Sequence, residues 1–299
     1  MKKEIFRGSA AAVITPFTPD GRDVDLDFFR ALLHAQLAGG TDAVVVAGTT
    51  GESPVLTGDE KRRLFQCAVS ELRGRLPVIA GTGSNDTWKA VRASNEAEKE
   101  GVDGLLIVTP FYNKCTQEGV VRHYHTIADR VSTPVIVYNV PSRTGLNIKP
   151  ETYQALAEHK NIVAVKEANG DLSAAAKTAS LCGDTLTIYS GNDDQTVAMM
   201  ALGAKGVISV AANAAPGLMH AVTQKALQND LLGAAERQAS LLRLTGLLFS
   251  EVNPIPIKAA VSYLYGRECP LRLPLTPMSE DKKRLLIREL DRLGLSAKQ

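Results

Sequence analysis

Eight short apolar runs recur along the first 210 residues: AAAVIT (10–15), DAVVVAG (42–48), LPVIAG (76–81), GLLIVTP (104–110), PVIVYN (134–139), NIVAVKE (161–167), LTIYSG (186–191) and GVISV (206–210). They are almost continuously apolar rather than alternating, the pattern of parallel strands covered on both faces. Segments of helical period lie between them, such as LDFFRALLHAQL, DEKRRLFQCAVSEL and DTWKAVRASNEAEKEG. Thr57 with Glu60 fits a capping box at the start of the second helix. Parallel neighbours need crossover helices, and eight strand–helix units can close without leaving an edge. The pattern therefore predicts an α/β protein, a (β/α)8 TIM barrel, with a doubly wound open sheet as the alternative. Residues 1–230 are expected to form the catalytic barrel and 231–299 a C-terminal helical appendage packed on it, with NPIPIK and LRLPLTP as Pro-rich joints. No Gly/Ser-rich linker separates the two.

Composition narrows the function classes. The 299 residues are 44% hydrophobic and 22% charged, an ordinary globular balance. With 34 Lys+Arg against 32 Asp+Glu and no long basic block, nothing supplies the electrostatic footprint of a nucleic-acid binder. The C-terminal DKKRLLIRELDRL mixes both signs at helical spacing and reads as a solvated helix face. Cys67, Cys115, Cys182 and Cys269 stand far apart without a C-x-x-C pair, which fits neither a zinc knuckle nor a disulfide framework and suits a reducing cytoplasm. Glu4 and Arg7 break up the N-terminal apolar run, so it makes a poor export signal. No stretch approaches the roughly 18 apolar residues of a membrane span. The expectation is a soluble, cytoplasmic protein.

In such barrels the reactive groups gather at the C-terminal ends of the strands. There the sequence places Tyr138, then Lys166 and Glu167, and the turn Gly48-Thr49-Thr50-Gly51-Glu52. A lysine ending a buried run is either a snorkelling surface side chain or a neutral amine, nucleophilic toward carbonyl carbon. Lowering its pKa to near 7.4 takes roughly 4 kcal/mol of differential interaction. Tyr138 reads as a proton shuttle or an amphipathic rim residue. Thr49 and Thr50 between glycines offer hydroxyls and accessible amides to a small carboxylate, or form a plain Gly-rich turn. Arg143 carries the fork that grips carboxylates, or is an exposed loop residue.

Taken in order, GTTGES (48–53), TPFYN (109–113), YNVPSRTG (138–145), VAVKEANGDL (163–172), SGND (190–193) and NPIPIK (253–258) resemble the dihydrodipicolinate synthase family, also called 4-hydroxy-tetrahydrodipicolinate synthases. The resemblance spans essentially the whole chain. It implies that Lys166 forms a Schiff base with pyruvate, and that the resulting enamine attacks aspartate 4-semialdehyde without metal or organic cofactor. By the same resemblance Tyr138, Thr49 and Tyr112 form a proton relay, with Tyr112 reaching across from a neighbouring subunit. Thr50 holds the pyruvate carboxylate, Arg143 clamps the semialdehyde carboxylate, and Gly191 and Ile208 lie at the pocket wall or serve only packing. A homotetramer of two tight dimers is implied. Another pyruvate-dependent class I aldolase, cleaving a sialic acid or a 2-keto-3-deoxy sugar acid, is the alternative within enzymes. A non-catalytic keto-acid sensor is the alternative outside them.

Lysine-inhibited members of the family carry histidines, a glutamate and a tyrosine at an interface site. The corresponding positions here are Gly58, Lys61, Lys89 and Phe111, while Ser53 and Asn85 are kept. Lys89 in place of a carboxylate repels an incoming ammonium, so feedback inhibition by lysine is expected to be weak or absent. Other signals point away from cofactors. His123 and His125 stand two apart and diverge on a helix. AGTGSND lacks a dinucleotide fingerprint, and no P-loop motif occurs. Asp193 and Asp194, at the corner where many barrels bind phosphate, argue against a phosphorylated substrate. Trp88 reads as surface, and Met199 and Met200 as core.

Overall fold

In the computed structural model, which describes residue 2 and residues 4–296, the eight apolar runs pair in chain order and the eighth returns to the first. The strands are β1 Gly8–Ala12, β2 Ala43–Val46, β3 Val78–Gly81, β4 Gly104–Val108, β5 Val135–Asn139, β6 Ile162–Glu167, β7 Thr187–Ser190 and β8 Gly206–Ser209, all parallel. This is the closed (β/α)8 barrel, not the open sheet. β1 begins earlier than its apolar run and also ends before it, because Ile14 and Thr15 leave the ladder: the Ile14 amide donates to Asn213 Oδ1 at 3.0 Å and Thr15 Oγ1 donates to the Gly51 carbonyl at 2.7 Å.

The helices that cover the barrel are α1 Leu26–Ala38, α2 Gly58–Leu72, α3 Thr87–Lys99, α4 Gln117–Ala128, α5 Pro141–Thr144, α6 Pro150–Ala157, α7 Leu172–Cys182, α8 Thr196–Ala201 and α9 Pro216–Leu227. α2 starts with the expected capping box, Thr57 and Glu60 each accepting from the other's backbone amide. After Leu227 come α10 Leu231–Leu248, α11 Ile255–Tyr265 and α12 Glu280–Arg292. NPIPIK is only partly a joint, since Pro254 is the N-cap of α11 and Pro256 lies in its first turn, where a missing N–H costs nothing. The charged C-terminal segment is solvated on one side only; Leu286 and Leu290 of α12 are fully buried.

Two apolar layers result. One, between strands and helices, takes side chains such as Val44, Val46, Val137 and Val165; the other fills the barrel with Ala10, Val45, Ile79, Ile136, Tyr138, Tyr189 and Ile208. β6 breaks the simple alternation. Val135 pairs with Ile162 but Ile136 with Ala164, so Val163 is an extra residue, a β-bulge. Because side-chain direction has a period of two, the bulge reverses the facing of everything after it. Ile162 and Val165 then both point to the helices, and Lys166, like its neighbour Tyr138, points into the barrel.

Candidate active site

Lys166 and Tyr138 are register partners at the ends of β6 and β5, with the lysine Nζ 4.4 Å from the centre of the tyrosine ring. Lys166 is only 5% exposed, which removes the snorkelling alternative. Burial pulls its pKa down to about 8, with Asp193 opposing and Arg143 adding to the fall. Burial also raises the Tyr138 phenol, while Arg143 and a hydrogen bond with Thr49 hold it back. The two groups share a cavity of about 200 Å³ at the C-terminal mouth of the barrel, lined also by Thr49, Thr50, Arg143 and Gly191.

The outward-facing neighbours hold these strand ends still. Asn139 and Glu167 follow Tyr138 and Lys166 and point toward the helices. There Glu167 accepts from Tyr153 Oη at 2.6 Å, from Asn139 Nδ2 at 2.9 Å and from the Asn169 amide at 2.9 Å. Burial pushes this carboxyl up to about 7. Gly191 donates its amide to the Glu167 carbonyl at 2.7 Å, and a Cβ there would stand 2.6 Å from that of Ala168, so the close approach of β7 to β6 requires glycine. Asp193, also buried, accepts through Oδ2 from the amides of Val210 and Ala211 at 3.1 and 3.0 Å. Its own carboxylate thus occupies backbone donors at the corner where other barrels place a phosphate.

Sequence reasoning missed two contributors from beyond the barrel. Asn253 lines the cavity, donates through Nδ2 to Thr50 Oγ1 at 3.0 Å and accepts from Arg143 at its carbonyl at 3.0 Å. Phe249, at the end of α10, lines the same cavity. The only signal was the NPIPIK motif, whose first residue is Asn253.

Two expected positions fall elsewhere. Ile208 is fully buried in the barrel interior and is not part of the cavity wall, because its strand position lies below the mouth. Tyr112 is 92% exposed, in a left-handed conformation (φ 69°), and does not line the cavity that holds Tyr138 and Thr49 of its own chain. Of the positions compared with the inhibitor site, Ser53, Lys61, Lys89 and Phe111 line a second cavity of about 640 Å³ that shares Thr49, Tyr138 and Arg143 with the first. Gly58 and Asn85 are outside its lining. Burial alone lowers the pKa of the Lys61 side chain.

A closed parallel barrel with an amine of lowered pKa and phenol and hydroxyl groups at its mouth defines a class of enzyme: a class I aldolase-type lyase, working through a lysine Schiff base. The model of the Dihydrodipicolinate synthetase family matches residues 5–293, and the chain belongs to that family. It is 48% identical over 291 residues to 4-hydroxy-tetrahydrodipicolinate synthase 1 of Clostridium acetobutylicum, covering 97% of this chain and 99% of the relative. It is also 48% identical over 279 residues to the 4-hydroxy-tetrahydrodipicolinate synthase of Geobacter sulfurreducens, covering 93% and 96%. The crystal structure of dihydrodipicolinate synthase from Thermotoga maritima superposes with a TM-score of 0.95 at 42% identity, covering 98% of this chain and 100% of that one.

Proposed function

We propose that the chain is a 4-hydroxy-tetrahydrodipicolinate synthase, condensing pyruvate with L-aspartate 4-semialdehyde in diaminopimelate and lysine biosynthesis, and that Lys166 is its Schiff-base residue. The observation that carries this reading is the inward-facing, buried Lys166 amine, with its pKa lowered to about 8, beside Tyr138 in a small cavity. The free amine adds to the ketone carbon of pyruvate and water leaves, giving an imine. Loss of a methyl proton makes the enamine, whose carbon attacks the aldehyde while the aldehyde oxygen takes a proton. The amino group of the former semialdehyde then attacks the imine carbon, closing the ring and releasing Lys166.

Each step moves a proton, and a phenol raised by burial holds its own too tightly to act alone at neutral pH. A chain of hydroxyls through Tyr138 and Thr49 passes it along. Tyr112 completes that relay from a second subunit, a reading supported by its full exposure and requiring at least a dimer; the homotetramer is the assembly we assign. Thr50 and its neighbouring amides take the pyruvate carboxylate. Arg143, exposed and in the lining of the cavity, takes that of the semialdehyde, while Gly191 sets the wall. Residues 1–230 carry the barrel and 231–299 the helices that complete its mouth. No described helix is long and apolar enough to cross a membrane; the four unpaired cysteines support a cytoplasmic location.

Borohydride reduction in the presence of pyruvate, followed by peptide mapping, is expected to label Lys166. Turnover of pyruvate with aspartate 4-semialdehyde should exceed any cleavage of sialic acid or 2-keto-3-deoxy sugar acids. An unlabelled Lys166 would refute the assignment.

A further inference from the structure

The turn that carries Thr49 and Thr50 is held from behind by side chains that the chemistry does not touch. Ala47 (φ 52°) and Glu52 (φ 55°) both adopt the left-handed conformation, which a residue with a Cβ keeps only when its surroundings enforce it. Glu52 turns its side chain away from the cavity and into the protein. There it forms an ion pair with Lys258 of α11, both side chains 1% exposed.

Both members of the pair have a further partner. Glu52 Oε2 accepts from the Arg272 amide at 3.1 Å. Lys258 Nζ donates to the Pro270 carbonyl at 2.7 Å and lies 4.1 Å from the centre of the Phe17 ring. Five residues before Lys258, Asn253 holds Thr50. The segment that opens α11 therefore grips the turn on both sides of Gly51, whose carbonyl is held by Thr15. A buried ion pair is seldom more stabilising than an apolar pair of the same shape, because desolvation offsets the attraction. What it adds is a fixed position for each partner.

We propose that Glu52 and Lys258 are positioning residues: their buried ion pair fastens α11 to the turn and so sets Thr49 and Thr50 against Tyr138 and Lys166. This rests on the assignment of Thr49 and Thr50 to the pyruvate site. It makes the helical region beyond the barrel part of the catalytic apparatus, and it gives a role to the last residues of GTTGE and NPIPIK.

The test compares Lys258→Met, Glu52→Gln and the double variant in the full chain. Turnover is counted per active site by borohydride-trapped pyruvate, so that unfolded protein does not enter. The wild-type adduct is mapped first; its absence at Lys166 would be a failure of the site assignment, not of the clip. Lys258→Met alone leaves a buried, uncompensated carboxylate and is expected to lower Tm, whereas the double variant removes both charges and regains it. If the pair serves stability only, kcat/KM for pyruvate returns with Tm. If it positions the turn, the refolded double variant keeps a deficit of about fivefold or more in kcat/KM for pyruvate while its trapped adduct still maps to Lys166. A double variant with Tm restored and a smaller deficit overturns the proposal. Should the methionine variants not fold, Glu52→Gln alone, which keeps the shape and an acceptor for the Arg272 amide, decides it by the same criterion.

Discussion

Lys166 is charged or free according to pH, and its neighbours set where the change falls. Its amine drops from an ordinary 10.5 to about 8 because burial penalises the ammonium. Below that value most of the enzyme carries a cation that cannot attack carbonyl carbon. The rate of pyruvate adduct formation is therefore expected to rise with pH and level off above about 8, read by stopped borohydride trapping across the range; a flat profile would contradict the assignment. The same shift acts on stability. The folded state binds its proton more weakly than the unfolded chain, so stability increases as pH climbs from about 8 to 10.5, and the cost is fully present at neutral pH. Lys166→Met should remove it and raise Tm, with an upper bound on the order of 3 kcal/mol. At this scale the residues ending apolar runs were legible: Lys166, Tyr138, Thr49, Thr50 and Arg143 all line the cavity. Asn253 was not, since its contact with Thr50 spans 203 positions and no local pattern encodes a partner that distant.

Within single elements, direction depends on features that a string of apolar letters hides. NIVAVKE reads as a continuous strand, yet strict alternation from Ile162 would turn Lys166 toward the helices. The bulge at Val163 turns it inward. Deleting Val163 removes the extra residue but keeps Ala164 opposite Ile136 and Lys166 opposite Tyr138, so Lys166 should still face inward and be labelled by pyruvate and borohydride. Loss of labelling, with the far-ultraviolet circular dichroism of the parent, would show that this pairing does not set the facing. The capping box of α2, by contrast, was legible because Thr57 and Glu60 are three residues apart and their bonds are local. Helix α12 was half legible: its charges announced a solvated face, while the burial of Leu286 and Leu290 waited on what lay beneath.

For the whole molecule, the second cavity bears on regulation. Lys61 and Lys89 line it together with Ser53 and Phe111, and no acidic side chain belongs to its lining. An ammonium ligand would enter against the like charges of Lys61, Lys89 and Arg143, the first of them already poorly solvated. Free lysine is expected to inhibit turnover weakly or not at all; a titration giving strong inhibition at physiological concentrations would overturn that expectation. The chain by itself determined the number and order of strands, the barrel class and the chemistry at the strand ends, because parallel strands and their helices write dense, local, periodic patterns. Tertiary structure alone decided that the strand-six amine faces inward, that Ile208 lies below the cavity, and that Asn253, Phe249 and Lys258 reach the barrel mouth from the C-terminal helices. Those outcomes depend on register and on contacts between segments some 200 positions apart, where burial rather than local preference sets the geometry.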